Sequence, residues 1–300
     1  MSDHRAGLVG VVGRPNVGKS TLVNAMVGFP VAITSRKAQT TRHRILGVLT
    51  RPEAQVLFVD TPGLQNEHTL ALNRQLRRAA FSVMAELPVL LWVADVLKVN
   101  DEDLSIVKAL PPESSVIAVL NKADRIQRDP HRKAAFALGP RLAELYPFKA
   151  IVPVSAQTGF QLDVLLAELI ALLPQGPALM DADQVTDRPL RFMAAELIRE
   201  KLFRLLGDEL PYEATVVIDQ YDESPSRTVI HATVVVGRAS HKPMVLGESG
   251  QRLKRIGTEA RRDIAKLVGT PVELRLWVKV VANWADQDKL VQSFGYSDLS

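Results

Sequence analysis

The sequence predicts an α/β domain, a mostly parallel sheet with helices on both faces, followed by a smaller α+β domain. Three observations carry this. Short β-branched apolar runs alternate with helix-spaced stretches through the first half. A Pro/Gly-rich break interrupts the alternation near residue 173. Beyond the break the order changes to helix, strand, strand, helix, helix, strand. A chain of 300 residues suits two domains at roughly 150 residues each.

The elements follow in order. Residues 7–12, 55–60, 89–95, 115–121 and 150–154 are almost continuously apolar, as strands covered on both faces should be. Helical spacing fits residues 70–86, 132–145 and 164–173. Such alternation implies a parallel sheet. Residues 44–50 reach the strand at 55 through Arg51-Pro52, a link short enough for an antiparallel hairpin at the sheet edge. Leu173-Pro174-Gln175-Gly176-Pro177 ends a helix and opens a polar stretch to about Arg188. The expected division is therefore a first domain over 1–173, a linker over 174–190 and a second domain over 191–300. In the second, residues 192–206 and 251–268 read as helices, and 214–220, 228–236 and 272–281 as strands.

Composition narrows the class. The chain is 47% hydrophobic and 23% charged, as globular proteins are. No apolar run is long enough to span a bilayer, and the opening MSDHRAG lacks the basic-then-apolar layout of a secretory signal. A cytoplasmic location is expected. With no cysteine, disulfides and cysteine metal sites are excluded. A net charge of +4 is too mild to imply nucleic acid by itself. No feature demands an obligate oligomer.

Gly13-Arg14-Pro15-Asn16-Val17-Gly18-Lys19-Ser20, continued by Thr21, fits the P-loop pattern G-x-x-x-x-G-K-[ST]. It follows a strand and opens a helix, the context the motif needs. Glycines let backbone N–H groups close on phosphate oxygens. Lys19 can reach the β- and γ-phosphates, and the Ser20 hydroxyl can bind Mg²⁺. Asp60-Thr61-Pro62-Gly63 ends a strand beside this cradle. Asp60 suits the Mg²⁺ side, and Gly63 offers an N–H to the γ-phosphate. Thr40 or Thr41 can complete the Mg²⁺ shell, with Thr41 favoured. Lys19, Thr41 and Gly63 are thus the candidates facing the transferring phosphate.

Asn121-Lys122-Ala123-Asp124 follows a strand. A carboxylate only accepts hydrogen bonds, and guanine presents two matching donors where adenine presents neither. Asp124 therefore selects GTP and GDP over ATP. Asn121 can tie this loop to the cradle, Lys122 can cover the base, and Ser155-Ala156 can offer an N–H to guanine O6. Leu64 follows Gly63 where Ras-type switches carry a water-orienting Gln, and Gln65 is one position off. Slow intrinsic hydrolysis is expected, completed by a positive charge from a monovalent cation or a partner.

In the second domain Gly247-Glu248-Ser249-Gly250 joins two helical stretches. A Gly-x-x-Gly turn can approach an RNA backbone closely, as in the KH fold. The helix after it carries Arg252, Lys254, Arg255, Arg261, Arg262 and Lys266, with Leu253, Ile256, Ala260, Ile264 and Leu267 as its buried stripe. Gly247, Gly250, Gln251, Lys254, Arg255 and Arg261 are the candidate RNA contacts.

The whole chain resembles the Era family of bacterial GTPases, which carry a C-terminal type II KH domain. The resemblance rests on GRPNVGKST, TSRKAQTTRHRI, DTPG, NKAD and VSAQTG, then on DRPLRFMAAELIREKL, IGTEARRDI, LWVKV and FGY. It implies a P-loop GTPase domain before the KH domain. It also implies binding to the 3′ end of 16S rRNA and a role in assembling the small (30S) ribosomal subunit. Hydrolysis without a catalytic Gln, a K⁺ ligand at Asn16 and peripheral association with the inner face of the cell membrane are carried over from it too. The sequence departs from the family at Glu248-Ser249, where related turns are basic and an acidic side chain opposes phosphate. A scaffold that hydrolyses little, or a GTPase acting on another RNA, are the competing readings. A GTPase-driven modification enzyme would need a cofactor site or a catalytic cysteine.

Overall fold

The computed structural model describes residues 4–35, 37, 40–64, 70–128, 132–206 and 213–296. Its first part runs β1 (Arg5–Val12), α1 (Lys19–Val27), β2 (Ile45–Thr50), β3 (Ala54–Asp60), α2 (Ala71–Glu86), β4 (Val89–Asp95), α3 (Asp101–Lys108), β5 (Ser115–Asn121), α4 (Arg132–Leu145), β6 (Ala150–Pro153) and α5 (Leu162–Leu172). The strands lie in the order β2-β3-β1-β4-β5-β6. All neighbours are parallel except β2, which pairs antiparallel with β3 at the edge. The hairpin read from Arg51-Pro52 is this pair.

Every residue of β3 and β4 is buried. Side chains alternate across a strand, so β4 feeds two cores. Leu91 and Val93 pack with Leu22 and Val23 of α1 and Leu165 and Leu169 of α5. Leu90, Trp92 and Ala94 pack on the other face with Val83 and Met84 of α2, Ile106 of α3 and Leu142 of α4. Helix α3 was not anticipated from the apolar pattern, because its first turn is Asp101-Glu102-Asp103. It starts on a capping box instead. The Asn100 side chain accepts from the Asp103 N–H, and the Asp103 carboxylate accepts from the Asn100 N–H.

The chain leaves β1 for β2 and β3 on one side, then returns to β4 on the other. A crevice must open at the carboxyl end of β1, where this order reverses. Residues 174–186 run along the same sheet. Pro174 O accepts from the Ala6 N–H at 3.1 Å, and Val185 O from the Val48 N–H at 2.9 Å. Buried Gln55 accepts the Leu179 and Met180 N–H groups at 2.7 and 2.9 Å.

The second part is α6 (Leu190–Leu205), β7 (Ala214–Glu223), β8 (Thr228–Val236), α7 (His241–Leu246), α8 (Gln251–Val268), β9 (Val272–Val280) and α9 (Asp288–Val291). β7 pairs antiparallel with β8, and β8 parallel with β9. Helices α6 and α8 cover one face through Ala194, Ile198, Ile256, Ala260 and Ile264. Near one end of the opposite face, Val235 joins Trp284, Val291 and Tyr296 against Ala71, Leu72 and Leu76 at the start of α2.

The stretch between α1 and β2 completes this joint. Arg42 is fully buried, and its Nη1 donates to Ala214 O at 2.9 Å and lies 3.4 Å from Tyr296 Oη. Its guanidinium sits over the Phe203 and Tyr296 rings. His43 stacks on Tyr296 at 4.8 Å; burial pushes its pKa down to about 4, so the imidazole is neutral. Beneath them Glu196 pairs with Arg199 at 2.5 Å. Burial alone would raise the Glu196 carboxyl, but Arg199 outweighs it and the net shift is downward. Among the described residues, no helix is long and apolar enough to cross a membrane.

Trp284 has no exposed surface and donates Nε1–H to Glu213 O at 2.8 Å. Trp284→Ala is expected to cost about 3–5 kcal/mol through the cavity left behind. Urea unfolding should show this as a lowered midpoint.

Candidate functional site

The carboxyl ends of β1, β3, β4, β5 and β6 place five loops around one cleft. Register accounts for the convergence: Val11 pairs with Asp60, Asp95 with Asn121, and Leu120 with Pro153. In the cradle Gly13 has φ +147° and Gly18 φ +101°. A Cβ at Gly13 would lie 2.2 Å from Val93 O, and one at Gly18 2.3 Å from Asn121 Nδ2. A Cβ at Gly63 would strike the Pro15 backbone at 2.6 Å. Only glycine fits these places, and the metal loop lies directly against the cradle.

Lys19 is buried at the start of α1 and caps the cradle from inside, donating to Gly13 O and Arg14 O at 3.0 Å each. Burial lowers its pKa to about 8, with Asp60 partly opposing that shift. An anionic phosphate restores the full charge. Ser20 Oγ donates to Asp60 Oδ2 at 2.6 Å and lies 2.8 Å from Thr41 Oγ1, which is itself 3.4 Å from Asp60 Oδ2. Burial raises the Asp60 carboxyl, and its Oδ1 has no hydrogen-bond partner among the described residues. Two hydroxyls and one carboxylate, whose Oδ1 is the unpartnered oxygen, form a hard-oxygen donor set that fits Mg²⁺. Thr40 turns elsewhere: its Oγ1 meets Ser35 Oγ at 2.6 Å and Lys37 O at 2.7 Å. Of the two threonines, Thr41 is the one beside Ser20 and Asp60.

At the other end, Asn121 ties three loops together. Its Nδ2 donates to Val17 O at 2.9 Å, and its Oδ1 accepts from Lys122 N at 2.8 Å and Ala156 N at 3.0 Å. Asp124 accepts from Ser155 Oγ at 2.7 Å. Lys122, at φ +67°, donates to Asn16 O at 2.6 Å and pairs with Asp95 at 2.8 Å. Asp95 and the cleft-lining Arg125 were not singled out from sequence. The only signal for Asp95 was a carboxylate closing an apolar strand. Asn16, Gly18, Thr21, Ser35, Lys122 and Asp124 help line a cavity of 530 Å³, the size of a ligand pocket. It shares Asn16, Gly18, Thr21 and Ser35 with the space beside Lys19, Thr41 and Gly63.

Some expected side chains point away. Arg14 pairs with Glu102 at 3.1 Å and lies 2.8 Å from Asp103, at the start of α3. Thr61 donates to Val11 O at 2.8 Å, and Val17 lies in the core. None of these three lines the cleft cavities. Pro62 follows Thr61 in the metal loop. Leu64 is packed in the core beside Ile106. Gln65 lies outside the described residues.

The second candidate surface is a groove of 490 Å³ between α8 and β9, lined by Gly250, Lys254, Gly257, Thr258, Arg261 and the apolar Leu253, Leu274 and Leu276. Gly247, Ser249 and Gly250 all have positive φ at its mouth, and Glu248 is exposed. Gln251 and Arg255 do not line it: Arg255 is exposed and pairs with Glu259 one turn on, at 2.9 Å. Gly257 and Thr258 do line it, and helical spacing from Gly250 and Lys254 would have found them.

Asn121→Ala removes three hydrogen bonds, two of which bridge to other loops. At about 0.5–1.5 kcal/mol each, the expected loss of GDP affinity is roughly ten- to a thousandfold, measured by displacement of a fluorescent GDP analogue.

A family model described as a 50S ribosome-binding GTPase matches residues 8–122, and one described as a KH domain matches residues 209–285. GTPase Era of Bordetella petrii is 50% identical over 292 residues, covering 97% of this chain and 98% of that protein. GTPase Era of Pseudomonas fluorescens is 44% identical over 299 residues, covering 98% of each. A crystal structure of an Aquifex aeolicus Era variant bound to GDP and AlF₄⁻ aligns at TM-score 0.92 with 38% identity, over 97% of this chain and 99% of that one. A structure of Era with MgGDPNP and nucleotides 1506–1542 of 16S ribosomal RNA aligns at 0.91, also at 38% identity, over 98% and 99%. Identity of this order along nearly the whole length places the chain in the Era family of GTPases, with a GTPase domain ahead of a KH domain.

Proposed function

We propose that this GTPase is a GTP-gated RNA-binding switch that holds the 3′ end of 16S rRNA and assists small-subunit assembly and rRNA maturation. The observation that carries the gating is an adjacency in the chain. Thr41 lies against Ser20 and Asp60, and the next residue, Arg42, is buried against the second domain. The RNA is suggested by the α8–β9 groove and by the relative solved with a 16S segment. The family model worded for the 50S particle covers only residues 8–122, outside that groove. The working division is 1–173 for the switch, 174–190 for the linker and 191–300 for RNA. A cytoplasmic location fits the absence of cysteine; association with the membrane face rests on resemblance alone.

In this reading the cradle N–H groups of residues 13–21 and the Lys19 ammonium hold the phosphates. Ser20, Thr41 and Asp60 would hold Mg²⁺, which supplies charge neutralisation at the β- and γ-phosphates. Gly63 N–H holds the γ-phosphate from the other side. Asp124 accepts from guanine N1–H and the 2-amino group, and the Ser155-Ala156 backbone faces O6. With Leu64 in the core, no side chain at that position orients the attacking water. A positive charge from outside completes the site: K⁺ at Asn16, or a group from a partner. Hydrolysis measured in KCl and NaCl separates these. A several-fold advantage in KCl, lost in Asn16→Ala, is expected for K⁺, and equal rates assign the charge to a partner.

Asp124→Asn is expected to shift preference from GTP to xanthosine triphosphate by about two orders of magnitude or more, because the amide then faces a matched acceptor. Competition binding reads this directly, and an unchanged preference would place the base elsewhere. The RNA reading is tested by titrating the 16S 3′-end strand at fixed salt with a GTP analogue, with GDP and without nucleotide. Tight, nucleotide-dependent binding is expected. Weak, sequence-blind binding would move the output to another partner.

A further inference from the structure

Of the segment LWVKV, residues 276–280, only Leu276 lines the groove. Alternate side chains of a strand face opposite ways. Leu274 and Leu276 of β9 face the groove. Arg275, Trp277 and Lys279 therefore share the opposite face, and all three are exposed. Trp277 keeps 48% of its surface in solvent, although large aromatics are normally placed where they bury area. Its cross-strand neighbours on β8 are small or polar. It pairs in register with Thr233, and the His231 ring meets it edge-on at 5.4 Å.

We propose that this open sheet face is a stacking platform on which an unpaired RNA base leaving the α8–β9 groove lies against Trp277, with Arg275 and Lys279 facing the flanking phosphates. The proposal rests on the RNA reading above and extends it to a second surface. Its geometry is that of an edge strand. Among the described residues β9 has a paired neighbour only in β8, so the groove and the indole are separated by the width of one strand. A single strand emerging from the groove can round that edge. Aromatic rings on an open sheet, flanked by cations, bind single strands with little sequence preference, because every base has a π-face.

The charge on the face is mixed. Glu273 pairs with Arg275 at 2.6 Å and with Arg227 at 3.5 Å, and Asp219 accepts from Thr233 at 2.7 Å. Lys279 appears in none of these pairs. Basic side chains on an edge strand also discourage edge-to-edge pairing. That role accounts for Arg275 and Lys279 but not for an exposed indole between them. A protein-binding patch would need contiguous apolar area with charge depleted at its centre. Here one aromatic ring stands among charges, which suits a nucleic-acid base better.

The chain offers a direct readout, because Trp92 and Trp284 are fully buried and Trp277 is not. Iodide quenching of tryptophan fluorescence in the full-length chain therefore reports on Trp277. The single-stranded 3′ end of 16S rRNA is the probe. RNA is expected to shield the indole from iodide. Trp277→Ala is expected to weaken RNA binding by about 5- to 150-fold at fixed salt, and Trp277→Phe to restore most of the loss. GTP binding should stay unchanged in both variants. RNA binding that persists at full strength in Trp277→Ala, with the indole still open to iodide, overturns the platform and leaves the groove standing. Equal weakening in Trp277→Ala and Trp277→Phe without shielding marks a structural effect and also overturns it. Shielding that grows with protein concentration in the absence of RNA would assign the face to a second copy of the chain. If the native chain binds no RNA at all, the RNA reading falls, and the platform with it.

Discussion

The nucleotide cleft depends on a single primary amide. Asn121 spends its donor on the cradle and its acceptor on its own loop, at Lys122 N, and on the loop after the neighbouring strand, at Ala156 N. Those loops share no covalent link shorter than a full strand–helix excursion. The amide adds to the Lys122–Asn16 and Asp124–Ser155 contacts that also join these loops. With it, the phosphate end and the base end of the cleft keep a fixed spacing. The contact is so close that Gly18 has no room for a side chain. The glycine pattern and the Asn-Lys-x-Asp pattern are thus two sides of one packing requirement, although they lie about a hundred residues apart in the chain.

A second constraint joins the domains. The stretch from Thr34 to Arg44 is too polar and turn-rich to form a core of its own, and the second domain supplies its partners. Thr34 N–H meets Glu200, Lys37 donates to Leu206 O, and Arg42 reaches Ala214 O. Burying a guanidinium is costly unless it is bonded and covered, and here aromatic rings and carbonyls do both. The segment that would sense the γ-phosphate is therefore held at both ends of its range: by Ser20 and Asp60 on one side, by the second domain on the other.

Most of the fold was legible because it rests on local signals. Near-continuous apolar runs marked β3, β4 and β5, and Arg51-Pro52 marked the edge hairpin. The site was legible where chemistry fixes both residue type and spacing, as at Gly13–Ser20 and Asn121–Asp124. The rest depends on where the chain folds back on itself. Helix α3 is specified by a capping box and not by an apolar stripe. Arg14 matches a phosphate motif yet turns to Asp103, which no local pattern announces. Arg255 and Lys254 are adjacent basic residues on one helix, and only the position of β9 decides which of them lines the groove. No local pattern announces the burial of Arg42, because Tyr296 lies 254 positions away.

That last separation matters for how the protein is made. Synthesis runs from the N-terminus, and domains fold largely in that order. The GTPase sheet and its cleft can therefore form while the residues that bury Arg42 are still to be added. During that interval Thr41 is tethered on one side only, and nucleotide can bind without engaging the second domain. If the halves are coupled as proposed, that coupling is acquired late in translation, when the segment bearing Tyr296 docks on His43 and Arg42. A nascent chain can occupy its nucleotide site well before it can act as a switch.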